Sequence, residues 1–211
     1  MTSERSGVHK RVSGFSPNHL QIESGRVRVP LQEEHTGGAE VRPFEGVIRD
    51  RGVKIIDKER FGELEESGYG TREGDVLALR DYEALYLLYS KKLLLQGERG
   101  DVSFEELAEL SQKKERDSWT KFVIYRDLRS RGYTVREGFG FGTDLRVYER
   151  GDYPKKPAKY VVFALDEGIE KGMYDLQKSV REMAKMGKEA IIAVIERRGE
   201  VIYYKVSRAR F

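Results

Sequence analysis

The chain has 211 residues and a formal net charge of +3, with 38% hydrophobic and 36% charged residues. It contains no cysteine, which excludes disulfides, thiolate metal sites and a cysteine nucleophile. Its three histidines (His9, His19 and His35) precede residue 36, so a histidine acid or base and a His-ligated zinc are excluded from residues 36–211.

The first 45 residues differ in composition from the rest of the chain. They are rich in Gly, Ser and charged residues and carry scattered apolar residues, a composition that predicts a flexible extension. Residues 27–29 could form a short strand within it. The chain lacks the roughly 20 consecutive apolar residues of a membrane helix, and we expect a cytoplasmic protein with no membrane contact.

Residues 46–115 have the pattern of a small α+β domain. Residues 47–48 and 53–56 are predicted to pair as strands around a turn at residues 50–52. The remaining predicted elements, in chain order, are a helix at 58–67, a strand at 76–79, a helix capped by Asp81 with Leu85, Leu87, Leu88 and Leu94 on its apolar face, and a helix opened by a capping box at Ser103 and Glu106.

Residues 116–211 have the pattern of a second domain, with a mixed sheet and flanking helices. Asp117 is predicted to cap a helix that ends at Gly132. Strands are predicted at 133–135, 144–149, 160–165, 190–195 and 201–206, and a helix at 173–186. The strand at 160–165 is apolar throughout, which is typical of a strand buried on both faces. The predicted fold class is therefore α/β (α+β), with helices packed on mixed sheets.

The charge is unevenly divided between the two halves. Residues 116–211 contain 21 basic and 14 acidic residues, a net charge of +7, whereas the preceding 115 residues contain 18 and 22, a net charge of −4. A basic half favours an anionic partner such as nucleic acid, although solvated surface charge would give the same count. One Asn, five Gln and many charged residues are also typical of a thermophile.

The sequence gives little support for two common kinds of phosphate-processing site. A metal-dependent nuclease needs converging carboxylates, but the strand that follows Asp144 contains none. The glycines at 138, 140 and 142 do not lead into the Gly-Lys-Ser/Thr of a nucleotide-binding loop. We therefore expect no metal site and no cofactor.

Two long passages of the second half resemble the archaeal tRNA-splicing endonuclease family. Residues 123–135 read VIYRDLRSRGYTV, and residues 138–148 read GFGFGTDLRVY. Both follow the helix-to-strand and strand-to-strand passages of the catalytic domain of that family. The resemblance extends over residues 46–211 and leaves the first 45 residues outside it.

The resemblance implies a metal-independent cleavage of precursor tRNA at bulge-helix-bulge junctions. The 2′-hydroxyl attacks the adjacent phosphate and leaves a 2′,3′-cyclic phosphate and a 5′-hydroxyl. In the family a Tyr is the base, a His the acid and a Lys the stabilising cation, and the matching residues are Tyr148 and Lys188. The histidine position corresponds to Pro157, or to Ala158 if the loop is offset by one residue. Neither side chain can transfer a proton.

The resemblance therefore implies the structural subunit of a hetero-oligomer, namely a heterotetramer in which a catalytic subunit carries the histidine. Two arginines, Arg181 and Arg208, are the candidates for RNA contact. The expected interface residues are the acidic loop and the last strand, namely Asp166, Glu167, Glu170, Tyr203 and Tyr204.

Two other interpretations stay open. An active member of the family could use a substitute acid, although Lys155, Lys156 and Lys159 are poor donors at the ordinary lysine pKa of about 10.4. Alternatively, the chain could be a nucleic-acid-binding scaffold outside tRNA splicing. Without the resemblance, Tyr148 would be interpreted as an exposed strand aromatic, and Arg126, Arg129 and Arg131 as surface cations paired with acidic neighbours.

Overall fold

The computed structural model describes residues 21–23, 26–28, 42–49, 52–140, 143–166, 173–196 and 198–207. The strands are β1 (Gln21–Glu23), β2 (Arg26–Arg28), β3 (Phe44–Arg49), β4 (Gly52–Ile55), β5 (Thr71–Glu73), β6 (Val76–Leu79), β7 (Leu93–Gly97), β8 (Gly100–Asp101), β9 (Thr134–Gly140), β10 (Thr143–Tyr148), β11 (Tyr160–Asp166), β12 (Glu189–Ile195) and β13 (Val201–Val206). The helices are α1 (Phe61–Glu66), α2 (Asp81–Tyr89), α3 (Phe104–Lys114), α4 (Ser118–Ser130) and α5 (Met173–Lys185), and a 3-10 turn (Lys58–Arg60) precedes α1. Strands β1 and β2 pair with each other as an antiparallel ribbon.

The first half builds a six-stranded sheet in the order β5-β6-β4-β3-β7-β8. Only β3 and β7 run parallel among its pairs; the others are antiparallel. In β4, Val53 and Ile55 are buried and alternate with Lys54, so one face of the sheet is apolar. Helix α2 packs against β4 and β7 on one side and against α3 and α4 on the other.

The second half builds a five-stranded sheet in the order β13-β12-β11-β10-β9. Strands β11 and β12 are parallel and are joined through α5, as a parallel pair requires a crossover. Side chains of β11 point alternately to both sides: Val162 and Ala164 join the core beneath α4, while Val161 and Phe163 pack with Met183 of α5. The prediction that this strand is buried on both faces is confirmed, as is the mixed α+β fold.

One apolar core joins the two sheets. It includes Ile55 and Leu77 of the first sheet, Ile124 of α4, and Val135 and Leu145 of the second sheet. Helices α2 and α4 meet within this core through the rings of Tyr82 and Tyr125, whose centroids lie 5.0 Å apart. The division into domains at residue 115 stays a prediction.

The predicted end of α4 at Gly132 is confirmed. Gly132 has a φ of +83°, the left-handed conformation that glycine adopts without a Cβ penalty. Its amide donates to the carbonyl of Arg129 (2.9 Å), and the amide of Tyr133 donates to the carbonyl of Leu128 (3.2 Å). These two bonds satisfy carbonyls that the helix leaves open and turn the chain into β9.

Two local predictions are wrong, and a third holds for the position of the residue but not for its side-chain bond. Leu94 does not extend the apolar face of α2; it lies in β7 and is 56% exposed, because the chain turns after Tyr89 and its side-chain period changes from 3.6 to 2. Asp81 is the first residue of α2 rather than its cap, and the preceding Arg80 amide donates to the Glu83 carboxylate (2.9 Å). Asp117 stands at the cap position of α4 without a side-chain cap bond and pairs instead with Lys121 at 3.4 Å.

The Ser103 half of the predicted capping box is confirmed, since its hydroxyl accepts a hydrogen bond from the Glu106 amide at 3.2 Å. None of the helices in the described ranges is long and apolar enough to cross a membrane.

Candidate active site

Three strand ends meet at one edge of the second sheet. The carbonyl of Val147 in β10 accepts a hydrogen bond from the amide of Lys159 (3.0 Å), and the carbonyl of Lys159 accepts one from the amide of Glu189 at the start of β12 (3.0 Å). These two bonds align the end of β10 with the starts of β11 and β12. Tyr148, Ala158 and Lys188 each lie one residue away from this aligned row, and Pro157 lies two residues away, so the fold brings the residues that the resemblance assigns to the triad, and both alternatives for its histidine position, to the same edge.

Lys188 is held at this edge by both its backbone and its side chain. Its amide donates to the carbonyl of Met183 (2.9 Å) as α5 ends, and Gly187 before it has a φ of +67°. Its half-buried side chain donates from Nζ to the backbone carbonyl of Ala158, and Nζ lies 6.0 Å from the centroid of the Phe139 ring. The cation is therefore fixed against the loop in which the family has its histidine.

Tyr148 ends β10 and is only 8% exposed, so its interpretation as an exposed strand aromatic is wrong. The ring of Tyr153 packs edge-to-face on it with centroids 4.9 Å apart. Tyr153 in turn lies close to Gly68 of the first half, where an added Cβ would come within 3.5 Å of the Tyr153 ring and 2.4 Å of the Thr134 methyl group. Tyr148 is thus covered by the loop that follows it, and that loop rests on the first half of the chain.

The histidine position carries no titratable side chain. Pro157 is exposed, and Ala158 is buried. Two of the three neighbouring lysines are paired with carboxylates. Lys156 Nζ lies 2.8 Å from Asp152, and Lys159 Nζ donates to Glu149, which also accepts from the Tyr160 hydroxyl at 3.0 Å. The hydrogen bond to Asp152 raises the pKa of Lys156, and the bond to Glu149 raises the pKa of Lys159. These ion pairs make both lysines poorer proton donors than free lysines.

Glu149 does not replace the acid either. Its hydrogen bonds from Lys159 and Tyr160 lower the pKa of its carboxyl group, so it is ionised at neutral pH and has no proton to give. The edge therefore holds a tyrosine and a fixed cation, and the adjacent loop carries lysines that are already paired with carboxylates.

The predicted RNA and interface residues fall in different surroundings. Arg181 is an exposed residue of α5, and Tyr204 on β13 is 49% exposed. Tyr203 points to the opposite face of β13, where its hydroxyl donates to Asp127 of α4 (2.6 Å) and its ring lies 5.5 Å from the Arg131 guanidinium. Arg208, Glu167 and Glu170, together with the side chains of Asp144 and Asp166, lie outside the described residues.

The arginines at positions 126, 129 and 131, in α4 and at its C-terminal end, do not behave as one surface set. Arg131 pairs with Asp127 through two bonds of 2.8 and 3.1 Å, as expected. Arg129 instead crosses to the first half, donating to the carbonyls of Ser67 (3.0 Å) and Gly68 (3.1 Å). The surface interpretation of Arg129 is wrong because the fold brings those carbonyls, 61 and 62 residues earlier, against its helix.

Sequence reasoning missed several residues near this edge. Arg146 shares the outer face of β10 with Tyr148, since side chains two apart in a strand point the same way. Its guanidinium lies 5.1 Å from the Phe139 ring, the ring that Lys188 also approaches. The alternation along β10 could have identified Arg146, whereas nothing in the local sequence places Phe139 between two cations.

A cleft of about 540 Å³ lies between α1 and the start of β9, and none of the residues assigned to the triad lines it. In the described part of the chain, no group of three or more Asp, Glu or His residues is placed to hold a metal ion. The edge described above is therefore the best-supported candidate site.

Comparison with known proteins identifies the family of this chain. Residues 118–203 match the family model of the tRNA intron endonuclease catalytic C-terminal domain, and residues 44–108 match that of the N-terminal domain. The tRNA-splicing endonuclease of Methanococcus vannielii is 34% identical over 160 residues, covering 75% of this chain and 90% of its own. The proteins of that name from Pyrococcus furiosus (34% over 145 residues, 68% and 83%) and Methanothermobacter thermautotrophicus (35% over 146 residues, 69% and 85%) are similarly related. The chain belongs to the tRNA intron endonuclease family.

Proposed function

We propose that this chain takes part in excising introns from precursor tRNA, as the structural subunit of a tRNA-splicing endonuclease whose catalytic histidine is on another subunit. The observation that carries the proposal is the composition of the sheet edge. Tyr148 and Lys188 occupy the triad positions of the family, while the loop between them has Pro157 and Ala158 where the family has its histidine.

The chemistry explains why this loss matters. Attack of a 2′-hydroxyl on the adjacent phosphate needs a base for the 2′ proton, a cation facing the growing negative charge and an acid for the departing 5′ oxygen. The products would be a 2′,3′-cyclic phosphate and a 5′-hydroxyl. Tyr148 and Lys188 match the first two roles. Lys156 and Lys159 are poor acids because their ion pairs raise their pKa, and Glu149 is ionised and has no proton to donate. The site of this chain therefore lacks the third role and stays idle, and we assign cleavage to a partner subunit that carries the histidine.

The edge of β13 supports association with that subunit. This strand ends the five-stranded sheet, and among the described residues it pairs only with β12. An unpaired edge of backbone amides and carbonyls is a template for a strand of another chain. Tyr204 is exposed on this strand, and the proposed partner is a homologous catalytic subunit whose own last strand pairs here. The acidic residues Asp166, Glu167 and Glu170 are proposed to enter a basic groove of that assembly.

Helix α5 supports contact with RNA. Its exposed face carries Lys178, Arg181 and Lys185. The hydrogen bond from Lys185, together with the positive charge of all three residues, lowers the pKa of Glu182 between them. We assign Arg181, and Arg208 beyond the last strand, to contact with the precursor tRNA, since guanidinium groups both pair with phosphates and stack on unpaired bases.

The test is cleavage of a bulge-helix-bulge precursor tRNA in EDTA. The purified chain alone is compared with the chain mixed with a histidine-bearing homologue from the same proteome, and with that homologue alone. We expect cleavage only when both chains are present, with cyclic phosphate ends. Cleavage by the chain alone would overturn the structural role and favour an active member with another acid.

A variant with Tyr148→Phe separates the two roles further. The mixed assembly should keep its activity within about twofold, because a structural subunit does not use this hydroxyl. If the chain associates with no homologue and binds no tRNA, the alternative of a scaffold outside splicing takes the place of this proposal.

A further inference from the structure

We propose that a small pocket between the two sheets binds a phosphate group. The pocket has a volume of about 90 Å³ and lies where the start of α2 meets β9 and β10. Three arginines, Arg80, Arg136 and Arg146, line it together with Glu83 and Glu137. It does not include the triad positions, and its function does not require that the chain be a splicing subunit.

The register of the second sheet creates the need for an anion. Arg136 of β9 and Arg146 of β10 are direct partners in the antiparallel ladder, so their side chains leave the same face of the sheet. Like charges placed directly opposite each other destabilise a strand pair. An anion between the two guanidinium groups would convert this repulsion into two attractions.

Each of these arginines also has a buried N–H donor without an acceptor among the described residues. Arg136 Nη1 and Arg146 Nε are buried and have no hydrogen-bond partner among the described residues. The nearest carboxylate oxygen to Arg136 Nη1 is Oε1 of Glu83 at 3.7 Å, which is too long for a hydrogen bond. Leaving a buried donor unpaired is costly, so an oxyanion that accepts from both nitrogens would stabilise the pocket.

The two carboxylates of the pocket are already engaged. Oε2 of Glu83 accepts hydrogen bonds from the amides of Gly70 (3.2 Å) and Arg80 (2.9 Å), and Glu137 pairs with the guanidinium of Arg80. Burial raises the pKa of the Glu83 carboxyl group, and the pocket has only these two carboxylates for its three guanidinium groups. The three guanidinium groups therefore exceed the available negative charge.

The shape and accessibility of the pocket fit a phosphate. Its volume is about three times the roughly 30 Å³ that one water occupies in the liquid, which is enough for a small tetrahedral oxyanion. The floor is buried, with the side chain of Arg136 only 15% exposed, while the Arg80–Glu137 pair at the rim is more than half exposed. Planar guanidinium forks match phosphate oxygens better than any other side chain does.

The phosphate could be free or part of an RNA strand. Arg146 and Lys188 both approach the ring of Phe139, at 5.1 and 6.0 Å from its centroid, so the pocket and the candidate active site flank one aromatic ring. An RNA strand that reaches Lys188 therefore passes near the pocket. The experiment has one arm for each source.

The first arm measures thermal unfolding of the full chain in increasing inorganic phosphate, with chloride keeping the ionic strength constant. We expect the midpoint to rise with phosphate in the natural chain, because a ligand that binds only the folded state stabilises it. The double substitution Arg136→Gln and Arg146→Gln should remove the rise. The control is Arg99→Gln, an exposed residue of the turn between β7 and β8, at the other end of the first sheet from β5.

The double variant also separates a ligand site from a structural role. In phosphate-free buffer it should unfold at the same temperature as the natural chain or a higher one, because it loses buried unpaired donors and their mutual repulsion. If this variant fails to fold, Arg146→Lys keeps the charge without the fork and should reduce the phosphate effect. No midpoint shift in the natural chain, or an equal shift in the double variant, would overturn the proposal.

The second arm measures binding of a bulge-helix-bulge RNA over a range of salt concentrations. If the pocket binds an RNA phosphate, the double substitution should make the negative slope of log affinity against log salt shallower by about 1. An unchanged slope together with a lost phosphate shift would identify free phosphate as the ligand. Either result is independent of whether the chain supports tRNA cleavage with a partner.

Discussion

The ammonium group of Lys188 donates a hydrogen bond to the backbone carbonyl of Ala158, 30 residues earlier in the chain. Under the proposed function, this bond links the residue assigned to the triad cation directly to the loop that lacks the histidine of the family. The site thus keeps the arrangement of its strands and its cation while lacking one proton donor. Such a site is a direct target for restoring activity with a single substitution.

Pro157→His should give the chain cleavage activity of its own. The substitution changes the PAKY sequence of residues 157–160 to HAKY and places an imidazole at the exposed loop position beside Ala158. A positioned acid contributes about 10²- to 10⁴-fold to the rate, so cleavage of precursor tRNA by the lone chain in EDTA should rise by at least the lower figure.

Two further variants control this result. Pro157→Ala changes the same backbone without adding an acid and should stay inactive, and adding Tyr148→Phe to Pro157→His should abolish the new activity. If Pro157→His folds and binds RNA but does not cleave, the cover of Tyr153 over Tyr148 is the obstacle, and replacing Tyr153 by Ala in that background should release it. Activity in neither background would show that the loss goes beyond the histidine.

Lys188→Met should affect stability and leave cleavage by the mixed assembly unchanged. The carbonyl of Ala158 loses its donor in a half-buried place, which costs about 1–3 kcal/mol of the free energy of unfolding. Urea unfolding of the lone chain measures this loss. Lys185→Met is the matched control, because Lys185 pairs with Glu182 on the surface and is 64% exposed, so its effect should be under about 1 kcal/mol. A folded Lys188→Met chain that abolishes cleavage in the mixture would instead make this lysine catalytic.

Arg129→Met should weaken the contact between the two halves of the chain and so lower the free energy of unfolding. The guanidinium donates to the carbonyls of Ser67 and Gly68 and to the hydroxyl of Tyr125, and it lies 4.0 Å from the centroid of the Tyr69 ring. Methionine keeps the apolar stem but leaves these acceptors without a donor, so we expect a loss of about 2–4 kcal/mol in urea unfolding.

The neighbouring Arg126→Met serves as the control for this measurement. Arg126 lies farther from its aromatic neighbours, 5.6 Å from Tyr89 and 5.9 Å from Phe122, and its loss should cost no more than about 1 kcal/mol. Equal effects of the two substitutions would show that the bonds of Arg129 to the first half add little stability.

Local patterns predicted the elements that local chemistry determines. The left-handed Gly132 ends α4, the Ser103 hydroxyl caps α3, and the apolar run of β11 is buried on both faces, because each depends on residues close in sequence. The resemblance to the family assigns Tyr148 and Lys188 to the triad, an assignment that stays a prediction, and the fold brings both residues to one edge of the second sheet.

Other features depend on residues far apart in sequence and could not be predicted in this way. Arg129 has the same local setting as Arg131, yet it bonds to the first half because packing brings the carbonyls of Ser67 and Gly68 to it. The pocket of Arg136 and Arg146 similarly depends on the strand register of β9 and β10, which a two-residue period alone does not determine.

Glu83 should make the stability of the chain fall as pH rises. Its carboxyl group is 2% exposed, and burial raises its pKa above the ordinary glutamate value of about 4.3, although backbone amides and Arg136 act against this shift. Between the ordinary pKa and the raised one, the folded chain keeps a proton that the unfolded chain has released. The contribution of this group to the free energy of unfolding therefore decreases as pH rises through that window.

Glu83→Gln tests this sign. The amide oxygen of glutamine can still accept from the amides of Gly70 and Arg80, but it does not titrate. The free energy of unfolding of the natural chain minus that of the variant, measured in urea from pH 4 to pH 8 without phosphate, should decline with pH. The exposed Glu109→Gln in α3 should give a flat difference. A difference that instead rises with pH would mean that attraction to Arg136 outweighs burial and that Glu83 is a stabilising carboxylate, which would also leave the phosphate pocket less positive than its three arginines indicate.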